Sequence, residues 1–377
     1  MLTRPRFLFF PLLLFCACSK DTVDTPEIAA IFREHSYAEC DPARLERGLN
    51  DSGLDALASF DPRAIFFHSG WRPELPRPGG GKAGVGMVLW KAGGAALAVK
   101  VFPGSPADEA GIRAGDVISS VDGKAVSAMP DAVLGSALYG APGGVFRFAG
   151  EKRSGGALNK SLRREFGGAP TVWGFNIPGT RKGYLRIISF SAKTSARIRC
   201  EMNDLLDGGA SEIIIDLRHN YGGLLEELAA SLELFAPGKG PVFRVVSRHP
   251  GYSRVYAAPG AGPFAGVKTV LLTDSGTLSR AEIFAAALRE WRAAVIMGGA
   301  SAGDVSVTRS FRLKDGGALR LTVARMLTAA GTDLEGAGLA PDMALDARPP
   351  GSQAPIGEFP PPVVSADPLL RRAVSGD

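Results

Sequence analysis

The chain has 377 residues, enough for two or three domains, and is 45% hydrophobic and 21% charged, which excludes a disordered polymer. Its formal charge of +5 is spread thinly, with no basic block or basic-aromatic stripe, so a nucleic-acid partner is excluded. The four histidines (35, 68, 219, 249) have no metal-ligand spacing, and no metal or cofactor is implied.

Arg4 and Arg6 precede the apolar run Phe7–Phe15, which is too short to span a bilayer as a stable helix and reads as an export signal over 1–18. Ala17-Cys18-Ser19 looks like a bacterial lipoprotein signal, which implies lipidation at Cys18 and a periplasmic or cell-envelope location. An ordinary secretory signal or an uncleaved anchor are the alternatives, and the anchor is the only membrane contact expected. Cys40 and Cys200 remain as two further thiols whose proximity the sequence does not give.

Residues 21–80 read as a helical segment and linker. Pro26–Arg33 and Ala43–Leu49 are short amphipathic pieces, and 72–84 is rich in Pro and Gly. A β-rich unit follows over 81–155. It runs from Gly84-Val85-Gly86-Met87 through a turn at Pro103–Pro106 and a one-turn helix at 107–112 to Val121-Asp122-Gly123-Lys124. Residues 164–346 alternate strands and helices, which implies an α/β layer with mainly parallel pairing. Strands are expected at 184–190, 212–217, 269–273 and 294–297, helices at 194–206, 224–235 and 279–291, and a hairpin across 314–317. The tail over 347–377 is Pro-rich, with 349–362 read as extended or loose.

Two loops carry the chemistry. Arg218–Gly223 and Asp274–Leu278 both follow apolar strands, and sites in open α/β sheets form beyond the carboxyl ends of strands. Ser279 stands at a helix N-terminus, where free N–H groups suit a nucleophile whose attack creates an oxyanion. Ser279-x-x-Glu282 is equally a capping box that needs no chemistry. Gly222-Gly223 either aim N–H groups at a bound carbonyl or only make a tight turn.

Three signatures together resemble the C-terminal processing (tail-specific) serine proteases. They are Asp216-Leu-Arg-His-Asn-Tyr-Gly-Gly223, Leu278-Ser-Arg-Ala-Glu-Ile283 and Gly336-Ala-Gly-Leu-Ala-Pro-Asp342. The 81–155 unit resembles a PDZ domain. The resemblance implies an α/β fold: a mixed, mainly parallel, ClpP/crotonase-like protease core with a small β-rich PDZ domain and an N-terminal helical segment. It implies a serine-type peptidase whose PDZ groove takes peptide or unfolded protein C-termini as an added strand, with the carboxylate at Gly84, Val85, Gly86 and Met87. The nucleophile falls on Ser279, the oxyanion hole on the N–H groups of Arg280 and of Gly222 or Gly223, and an orienting acid on Glu290.

Two positions depart from the family. Its general-base lysine falls on Asp304, and the residue after the nucleophile, Ala in the family, is Arg280. A buried neutral lysine can take a serine proton, and a carboxylate is the weaker base beside a developing oxyanion. Asp304 with a raised pKa, a histidine such as His219 or His68, or a lysine from elsewhere would supply a base. Otherwise the chain is a catalytically impaired relative that still binds peptides as an adaptor.

Overall fold

The computed structural model describes residues 24–68, 83–92, 94–166, 170–345 and 364–376. The export signal, Cys18 and most of the 72–84 linker lie outside the described residues. No helix among the described residues is long and apolar enough to cross a membrane. Cys40 and Cys200 are both free thiols.

The central sheet has six strands in the order 172–176, 182–187, 212–216, 268–273, 294–298, 343–344. The first pair is antiparallel and the other four pairings are parallel. Both faces are covered, which is why these strands read as continuous apolar runs. Ile213, Ile215, Leu271 and Ile296 point into one core, together with the helices Thr194–Asp207, Leu225–Glu233 and Arg280–Glu290. Tyr184, Ile214, Leu272 and Met297 point into the other.

Among the sheets of the described residues, parallel strand pairing is confined to this one. A second sheet joins 65–67, 318–328, 240–246 and 254–258, with 306–312 on 318–328, and all its pairings are antiparallel. Its hairpin across 314–317 matches expectation; strands 240–246 and 254–258 were not anticipated. The N-terminal helices Thr25–His35 and Pro42–Ser52 begin at Asp24 and Asp41, whose carboxylates cap them, with Pro in the first turn. Their Ile28, Phe32, Leu45 and Leu49 pack on Leu319 and Leu321 of the second sheet.

Residues 87–163 form an antiparallel sheet in the order 87–92, 95–101, 117–121, 145–151, 157–163, closed by the helix Asp131–Leu138. Strand 157–163 extends this unit past residue 155, because Gly155-Gly156 is a hairpin turn rather than a boundary. Its Val88, Val99 and Phe102 share the second core of the central sheet with Trp173 and Phe175. Lys100 reaches Glu201 of the 194–207 helix at 2.9 Å.

The stretch 349–362, expected to be extended or loose, lies outside the described residues, and the chain after it is folded. Val364–Ala366 is a 3-10 turn and Pro368–Ser375 a helix, capped by Asp367 and buried through Leu369, Leu370 and Ala373. The alternation of apolar and basic residues in this short helix was masked by the prolines before it.

Candidate active site

The 212–216 and 268–273 strands are neighbours, so the loops that follow them meet beyond one sheet edge. Asn220 ties them together. Its Nδ2 donates to Ile187 O at 2.9 Å, its carbonyl accepts from Leu278 N–H at 3.0 Å, and it is fully buried. Thr277 Oγ1 donates to Leu217 O at 3.0 Å. His219 pairs with Asp274 across the same gap, Nε2 to Oδ2 at 2.9 Å. Burial raises the Asp274 pKa, but the side-chain and backbone hydrogen bonds and the charge of His219 together outweigh it and hold the carboxyl below its ordinary value. Of the two histidines considered as bases, His219 is thus engaged with Asp274 and His68 packs edge-on against Phe66.

Ser279 is 6% exposed and has φ 63° and ψ −121°. A non-glycine residue at positive φ is strained, and a sharp strand-to-helix turn that holds a serine this way presents its Oγ outward. Both halves of the capping box are present: Glu282 Oε2 accepts from Ser279 N–H at 2.8 Å, and the Glu282 N–H, bonded to Ser279 O at 3.1 Å, faces the Ser279 side chain. Ser279 Oγ also accepts from Arg280 Nη1 at 2.8 Å.

Glu282 was not singled out beyond its capping role, yet it organises the site. It is fully buried, and burial raises its pKa against four donors. Oε1 accepts from Ser301 Oγ at 2.5 Å and Gly303 N–H at 2.7 Å; Oε2 accepts from Asp304 N–H at 2.9 Å as well as from Ser279. Position 304 is therefore fastened beside the nucleophile segment through one carboxylate oxygen.

The Asp304 side chain turns elsewhere. Its Oδ1 lies 2.9 Å from Arg63 Nε, and Arg63 Nη2 lies 2.7 Å from Glu335 Oε1. Burial lowers the Arg63 pKa, but the two carboxylates outweigh it and raise it above its ordinary value. Arg63 comes from the N-terminal segment, too far along the chain for local sequence patterns to suggest it. Arg280 is mostly buried, and burial pulls its pKa below the ordinary value against the attraction of Asp304 and Glu226. Its Nε meets no acceptor among the described residues.

The candidate oxyanion donors separate. Gly222 N–H is taken by Asn220 Oδ1 at 2.9 Å. That removes Gly222 as a donor and leaves the N–H groups of Gly223 and Arg280. Gly222 is needed for another reason. A Cβ there would lie 2.9 Å from Ser279 Cβ and 3.0 Å from Arg280 N, at a φ of 84°. Gly222→Ala is expected to lower stability by about 1–3 kcal/mol, read from urea unfolding.

Glu290 is misplaced as an orienting acid. It ends the eleven-residue helix that begins at Arg280, about 16 Å from the nucleophile at 1.5 Å per residue, and bonds to Thr332 Oγ1 and Ala330 N–H. In the PDZ loop, Gly84 and Val85 N–H groups are spent on Phe166 O and Leu138 O, both at 2.9 Å. Of the four proposed carboxylate donors, at most Gly86 and Met87 remain. All four residues are buried, and Ser105 closes over Gly86, its Oγ donating to the Gly86 carbonyl at 3.2 Å.

Behind the loops, Asp216 lies fully buried between Arg186 Nη1 and Arg218 Nη2, each at 2.6 Å, with Tyr184 Oη at 2.8 Å. Arg218 Nη2 also meets Asp367 Oδ2 at 2.6 Å.

Residues 181–345 match the peptidase family S41, and 99–148 match the PDZ domain. The chain is 29% identical over 304 residues to a chloroplastic C-terminal processing peptidase of Tetradesmus obliquus, covering 76% of this chain and 65% of the relative. It is 31% identical over 260 residues to the carboxy-terminal processing protease CtpA of Bacillus subtilis, covering 69% and 55%. It thus spans between about half and two thirds of the length of these relatives. The solved photosystem II D1 C-terminal processing protease superposes with a TM-score of 0.53 at 25% identity, over 85% of this chain and 92% of that one. A putative S41 protease from Bacteroides fragilis shares the fold, with a TM-score of 0.53 at 19% identity over 93% and 96%. Family models, relatives and fold agree with the three signatures: the chain carries a peptidase family S41 domain and a PDZ domain, and is similar to the C-terminal processing proteases.

Proposed function

We propose that this chain captures unstructured protein C-termini through its PDZ domain and presents them to Ser279, where hydrolysis is slow for want of a proton acceptor. One observation carries the reading: Arg280 Nη1 donates to Ser279 Oγ at 2.8 Å, and no side chain able to accept a proton bonds to that oxygen among the described residues. A guanidinium has five donors and no acceptor, so it can hold Oγ but cannot take its proton. The carboxylate in the family's lysine position is committed to Arg63. The 1–18 segment supports export, and Ala17-Cys18 supports a lipid anchor.

A working peptidase is the second reading, and the backbone of Ser279 favours it, because the strained φ and ψ of a nucleophile turn are kept. The two separate in one experiment. The chain without residues 1–18 and its Ser279→Ala variant are incubated with an unfolded substrate that ends in an apolar free carboxylate. Binding by both, with turnover at least 100-fold below that of an active relative under the same conditions, is expected. Serine-dependent turnover at that relative's rate would overturn the impaired reading, and absence of binding would overturn tail capture. Processing of Cys18 is read separately by mass spectrometry of the N-terminus.

A further inference from the structure

Among the described residues the 87–92 strand is the end strand of the PDZ sheet, paired on one side only with 95–101. An unpaired edge offers backbone donors and acceptors to another chain. Here the edge is covered by the protein itself. The Val364–Ala366 turn packs along it, and Lys91 N–H donates to Ser365 Oγ at 2.8 Å. Val364 is buried with Val88, Val99 and Phe102, while Ala366 packs against the PDZ interior, so the segment crosses the edge from one core to the other. Beside it an opening of about 410 Å³ remains, lined by Trp90, Lys91, Ser127, Asp131, Ser365 and Arg371.

The same segment touches the candidate active site. Two residues on, Asp367 pairs with Arg218, the first residue of the Arg218–Gly223 loop and a partner of buried Asp216. Leu369 and Leu370 then seat the following helix on Leu272 and Met297 at the carboxyl ends of the central strands.

We propose that residues 364–376 are a built-in occupant of the tail-accepting edge, displaced when a protein C-terminus adds to the 87–92 strand. The proposal rests on tail capture by the PDZ domain and adds its control. An incoming extended tail needs the N–H of Lys91, which Ser365 now holds, so the two are mutually exclusive at that edge. Displacement also withdraws Asp367 from Arg218, leaving the Arg218 guanidinium paired with Asp216 alone. Edge occupancy and the setting of the glycine loop are thereby linked through one segment. A tethered competitor acts at a high effective concentration, so it weakens tail binding without any contact to the tail.

The test uses the chain without residues 1–18, a fluorescein-labelled peptide with an apolar free C-terminus, and two variants. Asp367→Asn breaks the charge pair with Arg218 and keeps a good helix cap; Val364→Asp unseats the turn from its apolar site. Roughly tenfold tighter peptide binding by either variant is expected from release of an intramolecular competitor. In the unaltered chain, saturating peptide is expected to speed amide exchange over 366–376 and 218–223. Peptide binding that leaves both exchange and the variants' affinities unchanged overturns the inference and leaves tail capture standing. No peptide binding by any form overturns both. If Val364→Asp does not fold, Asp367→Asn and the exchange measurement decide.

Discussion

Asp216→Ala is expected to cost about 3–5 kcal/mol of stability, the penalty for leaving buried charge without its partner. Arg186 is 3% exposed and Arg218 is largely enclosed, so neither guanidinium can turn to water when the carboxylate is gone. Urea unfolding at neutral pH reads the loss, and a variant within 1 kcal/mol of the parent would remove Asp216 as the anchor of the loop. The same group predicts a pH dependence. Burial alone would raise its pKa, but Arg186 and Arg218 outweigh burial and hold it well below the carboxylate range. A folded-state pKa below the unfolded value of about 3.9 adds stability that is complete above that pH and declines as pH falls beneath it. Asp216→Asn, which cannot ionise, is expected to flatten that acid limb.

The second large effect is a gain. Arg280→Ala combined with Asp304→Lys is expected to raise peptide hydrolysis roughly 10²–10⁴-fold, the range contributed by a positioned general base. Asp304→Lys alone is expected to give much less, because Arg280 still holds Ser279 Oγ and repels a second cation beside it. The geometry for the exchange is in place. Ser279 and Asp304 N–H groups share Glu282 Oε2, so residue 304 needs no new backbone path to the nucleophile. Arg63 keeps Glu335 as a partner when Asp304 is replaced. kcat/KM on an unfolded substrate, with Ser279→Ala added as the control, is the measurement. A folded double variant no faster than the parent would show that the site has drifted beyond its two altered charges.

What the sequence disclosed followed how local each signal is. The strand–loop–helix units around 212–235 and 268–291 were legible because apolar runs end in glycine loops and the next helix has its own period. The hairpin across 314–317 was legible for the same reason. Side-chain direction was not. Nothing in Ser279-Arg280 says that the guanidinium folds back onto its neighbour's oxygen, or that Asp304 turns out to Arg63. Glu290 failed because alignment by position ignores that eleven helical residues carry it to the far end of the helix. The 368–375 helix was lost behind prolines, and its partners, Leu272 and Met297, lie far away in sequence.

The central sheet is greasy on both faces, and that has a consequence for how its strands find their alignment. Where one face meets water, a one-residue slip exposes the apolar set and is rejected at once. Here a slip would exchange one apolar interior for another, and the hydrophobic pattern by itself discriminates poorly. Arg186 and Asp216 are register partners on adjacent parallel strands. A slip of one residue would drive their charges into opposite interiors, and a slip of two would part them within the same one. The buried pair behind the glycine loop thus also acts as a register pin, selecting the one alignment of strands that sets both loops level with each other.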